Sequence, residues 1–275
     1  MKVQYQIITT FNQRGLEQYG QRMINSFETH WPSDVSLIIY AEDCEPQIHC
    51  ANVQVIDSLK ANEDLTKFIL RHQNNPRAHG KDGPPEVFDP RKTFRWDAVR
   101  FSHKVFSIAH AAALLNSGWL IWLDADTYSH STLSSSILSM LCPDNYMISY
   151  LGRGEAYHSE CGWVGYNLSH PQCKTFIQKF VDMYRNDEIF TLSEWHDSFV
   201  WDHVRRQFNQ NQFFNLAAKL KNTKGSAGHP FINSELGRYM DHAKGARKQT
   251  GYSKSTDIHQ HHDLPYWQKI LLKSQ

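Results

Sequence analysis

The chain has 275 residues, 40% hydrophobic and 13% aromatic, which is enough apolar surface to bury the core of an α/β domain and excludes global disorder. Its 29 basic and 28 acidic residues leave a net charge of +1, which excludes a summed field for nucleic acid or an anionic membrane, so any anion site is local. Cys44, Cys50, Cys142, Cys161 and Cys173 form no CxxC pair, which argues against a disulfide framework or a zinc knuckle and for reduced thiols.

Residues 3–11 alternate and then run apolar, predicting a buried first strand with the polar Thr9 and Thr10 at its carboxyl end. Leu16, Tyr19, Met23, Ile24 and Phe27 recur at helical spacing until Trp31-Pro32 stops them. Strands over 35–40 and 52–56 give a β-α-β-β start. Residues 73–93, QNNPRAHGKDGPPEVFDPRKT, cannot bury enough apolar surface to order themselves and read as a flexible loop or lid.

A long core helix is predicted over 94–115, carrying Trp96, Val99, Val105, Phe106, Ile108, Ala109 and Ala112, with Gly118 at its end. The next strand, residues 119–123, is a continuous apolar run that breaks into DADTYS. Further strands are expected over 146–150 and 162–166, and helices over 171–184 and 193–208. From residue 221 Gly, Lys, His and Ser dominate. The opening MKVQYQIITTFN is not patterned as a signal peptide, and no run approaches the ~18 apolar residues of a transmembrane segment. A cytoplasmic protein is the expectation.

Ligands of open α/β sheets collect at the carboxyl ends of strands, so the chemistry is sought at Asp124-Ala125-Asp126. Two carboxylates one residue apart at the mouth of a buried strand repel each other unless they are solvated or share a cation. Mg²⁺ or Mn²⁺ would suit them, because such hard ions take few protein carboxylates and complete their shell with phosphate oxygens. The bland reading is a solvated turn.

Downstream, DHAKGARKQTGYS sets His242, Gly245 and Lys248 in the spacing H-x-x-G-x-x-K. With the D-x-D at a strand end, this resembles the GT-A fold glycosyltransferases, and within them the glycogenin-like retaining enzymes. The resemblance implies a single α/β domain with a mixed, mostly parallel sheet flanked by helices. It also implies a metal held by Asp124, Asp126 and His242, and a nucleotide-sugar donor, a UDP-sugar by default. Gly245 and Lys248 would then meet the donor diphosphate, Thr9, Thr10 and Phe11 would cradle the base, and Arg95 and Lys104 would lie near the donor. Residues 221–275 would close the donor site. The chemistry is compatible, since imidazole tolerates Mn²⁺, glycine permits close backbone approach and lysine supplies a compact positive charge.

EWHDSFVWD, residues 194–202, partly resembles the W-H-D-E-S stretch of the retaining blood-group-type galactosyltransferases. Those enzymes place a glutamate after the aspartate, where this chain has Ser198. Asp197 is then the nearest carboxylate, as a base for the acceptor hydroxyl, a hydrogen-bond acceptor or a helix-start acid. Trp163 is either a sugar-stacking ring or core, and His259, His261 and His262 read as an exposed cluster. The acceptor is an unknown carbohydrate or other hydroxyl compound. Two other classes stay open: a haloacid-dehalogenase-like phosphatase with Asp124 as nucleophile, and a noncatalytic nucleotide-sugar binding module.

Overall fold

The apolar runs of the first half fold as neighbouring parallel strands. A computed structural model describes residues 4–154, 157–220 and 228–273. The strands are β1 (Tyr5–Phe11), β2 (Ser36–Ala41), β3 (Val53–Asp57), β4 (Trp119–Leu123), β5 (Thr127–Ser129), β6 (Ile148–Leu151), β7 (Glu160–Asn167), β8 (Phe213–Asn215) and β9 (Met240–His242). Seven of them form one sheet in the order β3-β2-β1-β4-β7-β6-β8. Only β7 runs antiparallel, to β4 on one side and β6 on the other; the other pairs are parallel. This is the mixed, mostly parallel single α/β domain that the resemblance implied.

Side-chain alternation in the central strand sends Leu120 and Trp122 into one core layer and Trp119, Ile121 and Leu123 into the other. Helices Glu63–His72, Ala98–Leu114 and Cys173–Arg185 bury Phe68, Phe106 and Phe176 in the first layer. Helix Gln21–His30 buries Met23, Ile24 and Phe27 in the second, which the carboxyl-terminal helix Pro265–Leu272 completes with Trp267. Trp163 is 0% exposed within that layer, so it is core and no platform for a sugar.

Some helix boundaries move for visible reasons. The segment expected as one helix over 94–115 is a 3₁₀ turn, Pro90–Trp96, followed by the helix from Ala98; the Asp97 carboxylate between them caps the Arg100 amide at 3.2 Å. The helix expected from 193 begins at Asp197, because the Trp195 and His196 amides donate to the Arg95 carbonyl at 2.8 and 3.1 Å. Residues 73–93 carry 3₁₀ turns rather than α-helix or strand, and Ala78 among them is buried. Of the expected closing segment 221–275, residues 221–227 and 274–275 lie outside the described residues.

Candidate metal and donor site

β4 ends at Leu123, and the chain turns at once: the Asp124 amide donates to the Gly162 carbonyl at 2.9 Å and the Thr127 amide to the Asp124 carbonyl at 3.0 Å. The turn launches β5, which pairs antiparallel with β9 and sets Thr127 opposite His242. A further bond from the Ala243 amide to the Asp126 carbonyl, 2.9 Å, closes the ribbon. Residues more than a hundred positions apart thus meet through a ribbon of six residues, too short to show a strand period in the sequence.

His242 Nε2 lies 3.1 Å from Asp126 Oδ1 and 3.6 Å from Asp124 Oδ2. One ligand atom from each of the three residues falls within 4.8 Å of the others. Two carboxylates and an imidazole are a donor set suited to Mn²⁺ or Mg²⁺. The room for the ring is specific: a Cβ on Gly162 would stand 2.6 Å from His242 Cε1. The three sequence candidates for metal ligation are therefore brought together, and His242, 2% exposed, is no surface histidine.

The other ring nitrogen reveals a residue that the sequence reading missed. His242 Nδ1 is 2.9 Å from Glu160 Oε1 at the start of β7, and Lys244 Nζ is 2.5 Å from Glu160 Oε2. Such an outer carboxylate fixes the orientation of a ligating imidazole. Burial works against charge on His242, but Asp126 and Glu160 overcome it and push its pKa up to about 10. Burial likewise opposes ionisation of Glu160, yet Lys244 and His242 hold it well below the usual range. His229, behind them, is driven down to about 3, mainly by burial, and stays neutral.

Lysines flank the D-x-D. Lys248 Nζ is 3.1 Å from Asp126 Oδ2 and lies over the Tyr19 ring, 4.6 Å from its centroid. Lys104 Nζ is 3.2 Å from Asp124 Oδ1, 2.6 Å from Asp197 Oδ2 and 2.6 Å from the Cys161 carbonyl. Trp122 Nε1 also donates to Asp124 Oδ1, at 2.6 Å. Burial penalises charge on Asp197, but Lys104 holds its pKa below the usual carboxylate range. Asp197 is thus ionised and suited to accept hydrogen bonds more than protons.

The remaining candidates divide. Thr9 and Phe11 are 0% and 3% exposed, so their side chains face the interior, whereas the half-buried Thr10 bonds the Tyr40 carbonyl at 2.6 Å and Glu42 at 3.1 Å. Arg95 pairs with Glu194 at 2.7 Å, beside His196, and is not among the groups around Asp124. Gly245 opens the turn carrying Lys248 with φ +62°, a conformation that suits glycine, and among the described residues beyond its chain neighbours no atom lies within 4 Å of where its Cβ would be.

No known protein family and no curated protein matches the chain in sequence. Among solved structures, the WbbM bifunctional glycosyltransferase in its apo form superposes with a TM-score of 0.51 at 10% identity, over 99% of this chain and 52% of WbbM. Mouse xyloside xylosyltransferase 1, apo form, gives 0.47 at 9% identity, over 78% of this chain and 85% of its own. The glycosyltransferase GlyE of Streptococcus pneumoniae TIGR4 gives 0.44 at 12%, over 81% and 47%. The chain spans about half the length of WbbM and of GlyE. At these identities the likeness is one of fold, and the superposition on WbbM carries it: this chain is built on an architecture that a glycosyltransferase also uses.

Proposed function

We propose that the chain transfers a sugar from a nucleotide-diphosphate sugar, a UDP-sugar by default, to a hydroxyl acceptor. The observation that carries this reading is the convergence of Asp124, Asp126 and His242 at the carboxyl end of β4, with Lys248 beside them. Asp124, Asp126 and His242 would hold Mn²⁺ or Mg²⁺, which when bound neutralises charge on a diphosphate. Lys248 adds a positive charge where the leaving group becomes more negative as the glycosidic bond breaks, and a preformed charge there lowers the barrier. Asp197, ionised against Lys104, accepts a hydrogen bond from the acceptor or donor sugar. With Ser198 in place of a second carboxylate, the retaining outcome suggested by the glycogenin-like resemblance fits attack on the leaving-group face, the departing phosphate taking the proton. Thr10 and the backbone of Thr9 and Phe11 contact the base, and residues 73–93 serve as the lid.

Donor hydrolysis tests the reading without a known acceptor. A panel of UDP-, GDP-, ADP- and CMP-sugars is incubated with Mn²⁺ or with EDTA, and free nucleotide and sugar are followed. Metal-dependent release from one donor, lost in Asp126→Ala and His242→Ala, is the expected result. Silence across the panel together with turnover of a simple phosphomonoester would instead favour a phosphatase, in which Asp124 would have to attack while bound by Trp122 and Lys104. Metal-dependent donor binding with no product in the presence of acceptors would leave a binding module.

A further inference from the structure

His158, Glu194 and His196 form another cluster of metal-ligating side chains, and it shares no residue with Asp124, Asp126 and His242. We propose that it is a second metal site, for a transition-metal ion of the zinc class, which ties the segment before β7 to the start of the helix Asp197–Arg205. The proposal does not rest on the sugar-transfer reading.

The first argument is how the chain sets the three side chains. Glu194 and His196 flank Trp195 in the non-helical stretch before the helix, where residues two apart share a side, and Trp195 between them takes the core side, 0% exposed. Arg95 fixes that stretch twice. Its carbonyl accepts from the Trp195 and His196 amides at 2.8 and 3.1 Å, and its guanidinium donates to Glu194 Oε1 at 2.7 Å. His158 comes from the other side, next to Ser159, whose amide and Oγ donate to Asp202 of the same helix at 2.7 and 2.9 Å. Both halves of the cluster are thus anchored to one helix, so binding an ion would cost little further ordering.

The second argument is geometry. Glu194 Oε2, the oxygen that Arg95 does not take, is 2.9 Å from His196 Nε2 and 3.8 Å from His158 Nε2, and one ligand atom from each residue lies within 4.8 Å of the others. Ligand atoms around a tetrahedral zinc ion stand about 3.3 Å apart, and the two distances bracket that value. A hydrogen bond explains the approach of His196; the second imidazole nitrogen, beyond hydrogen-bond length from the same oxygen, is what a ligand set adds. Aromatic rings hold both imidazoles: Phe199 meets His158 edge-on with centroids 4.9 Å apart, and Phe94 and Phe101 lie 6.1 and 5.9 Å from His196. An apolar shell of this kind limits the access of water to a bound ion.

The third argument is the chemistry of the donors. Two imidazoles and one carboxylate suit Zn²⁺, whereas Mg²⁺ and Mn²⁺ favour the oxygen-rich pair of the D-x-D. Arg95 sharpens the difference, because it offsets the charge of Glu194 and leaves the imidazole nitrogens to carry the affinity. The His158 side chain, 34% exposed, gives an ion a way in. Asp197 follows His196 directly, so an ion here would steady the residue whose carboxylate meets Lys104.

Zn²⁺ titrated calorimetrically into the full chain, after EDTA treatment and dialysis, tests the proposal. Wild type is expected to take up two equivalents, one at each cluster. His158→Gln and Glu194→Gln should each weaken one of them at least about a hundredfold and leave the other, whereas Asp124→Asn and His242→Ala should do the reverse. X-ray absorption at the zinc edge, on Asp124→Asn protein loaded with one equivalent, should show two imidazoles in the shell. Uptake unchanged in both Gln variants, uptake lost only in Asp124→Asn and His242→Ala, uptake lost instead in His259→Ser, a shell without two imidazoles, or no binding tighter than about 10 μM would each overturn the second site. A single equivalent that is lost in the Gln variants and kept in Asp124→Asn and His242→Ala would uphold this site and remove the metal from the D-x-D.

Discussion

The two carboxylates of the Asp124-Ala125-Asp126 turn stand between lysines in opposite conditions. Lys104 has a side chain 8% exposed and meets three oxygens, those of Asp124, Asp197 and the Cys161 carbonyl, so every ammonium proton has an acceptor. Lys248 is 24% exposed and meets Asp126 and the face of Tyr19. On the Lys104 flank one buried ammonium is shared by two carboxylates, and this shared contact fixes the turn. On the Lys248 flank the lysine sits in a short turn at the rim, where in the proposed function a donor phosphate would take the place of its carboxylate. A site that binds and releases an anion needs both: one flank that holds still and one whose ion pair can be traded.

The largest expected effect lies on the closed flank. Lys104→Met leaves Asp124 and Asp197 facing each other without their cation, and breaking a buried pair in this way costs about 3–5 kcal/mol. Chemical denaturation should read the loss directly. A loss below about 1 kcal/mol would mean that water reaches the pair, as it does at surface pairs, and would erase the contrast between the flanks.

Glu160 comes next, because it supports the proposed metal ligand His242 from behind. Glu160→Gln keeps an oxygen for His242 Nδ1 but removes the charge that Lys244 shares, and loss of such an outer partner weakens metal binding about 10–100-fold. Mn²⁺ titration followed by electron paramagnetic resonance measures this with no turnover required. Unchanged Mn²⁺ affinity would show that the ring is held by Gly162 packing alone. On the open flank, Lys248→Ala should leave Mn²⁺ affinity nearly unchanged and weaken UDP binding in the presence of Mn²⁺ by about tenfold, the worth of one charge-assisted contact. Equal losses for both ligands would place Lys248 with the scaffold instead.

How much of this was legible depended on the length of the signal. The D-x-D stood out because WLIWL, five buried residues, breaks into charge at a strand end. His242 and Lys248 were found by their spacing and resemblance, since a three-residue strand such as β9 carries no period. Glu160 was invisible: in ECGWVGYN nothing separates a buried glutamate from one at a wet strand edge, and only the pairing of β7 with its neighbours brings it under His242. Lys104 was picked out as lying near the donor, but its three acceptors come from the end of β4, the start of β7 and the start of the Asp197 helix, which only the tertiary fold assembles. Thr9 and Phe11 fell at the expected strand end, yet the alternation that made β1 recognisable also turned their side chains inward.

Glu42 supplies the smallest and most separable test, because it is a half-buried carboxylate at the same end of the sheet with no lysine among the described residues paired to it. It accepts from Thr10 Oγ1 at 3.1 Å and has His103 at 3.8 Å, with Asp43 and Arg100 near it. Burial pushes its pKa up to about 7 from 4.5, and the bond from Thr10 offsets only part of that. A carboxyl raised by folding stabilises the folded state below the unfolded pKa and loses that contribution as pH rises through the folded one. The window therefore runs from about pH 4.5 to about pH 7. Burial drives His103 down to about 4, so it acts in the opposite sense, its contribution being lost as pH falls; the effect is common to wild type and variant and cancels in their difference. Glu42→Gln keeps the Thr10 bond without the ionisation, so the variant should match wild type near pH 4 and exceed it at pH 8 by on the order of 1–2 kcal/mol. If the two denaturation curves stay parallel across that range, Glu42 titrates alike in the folded and unfolded chain, and a cation must be offsetting its burial as Lys104 and Lys248 do at the D-x-D.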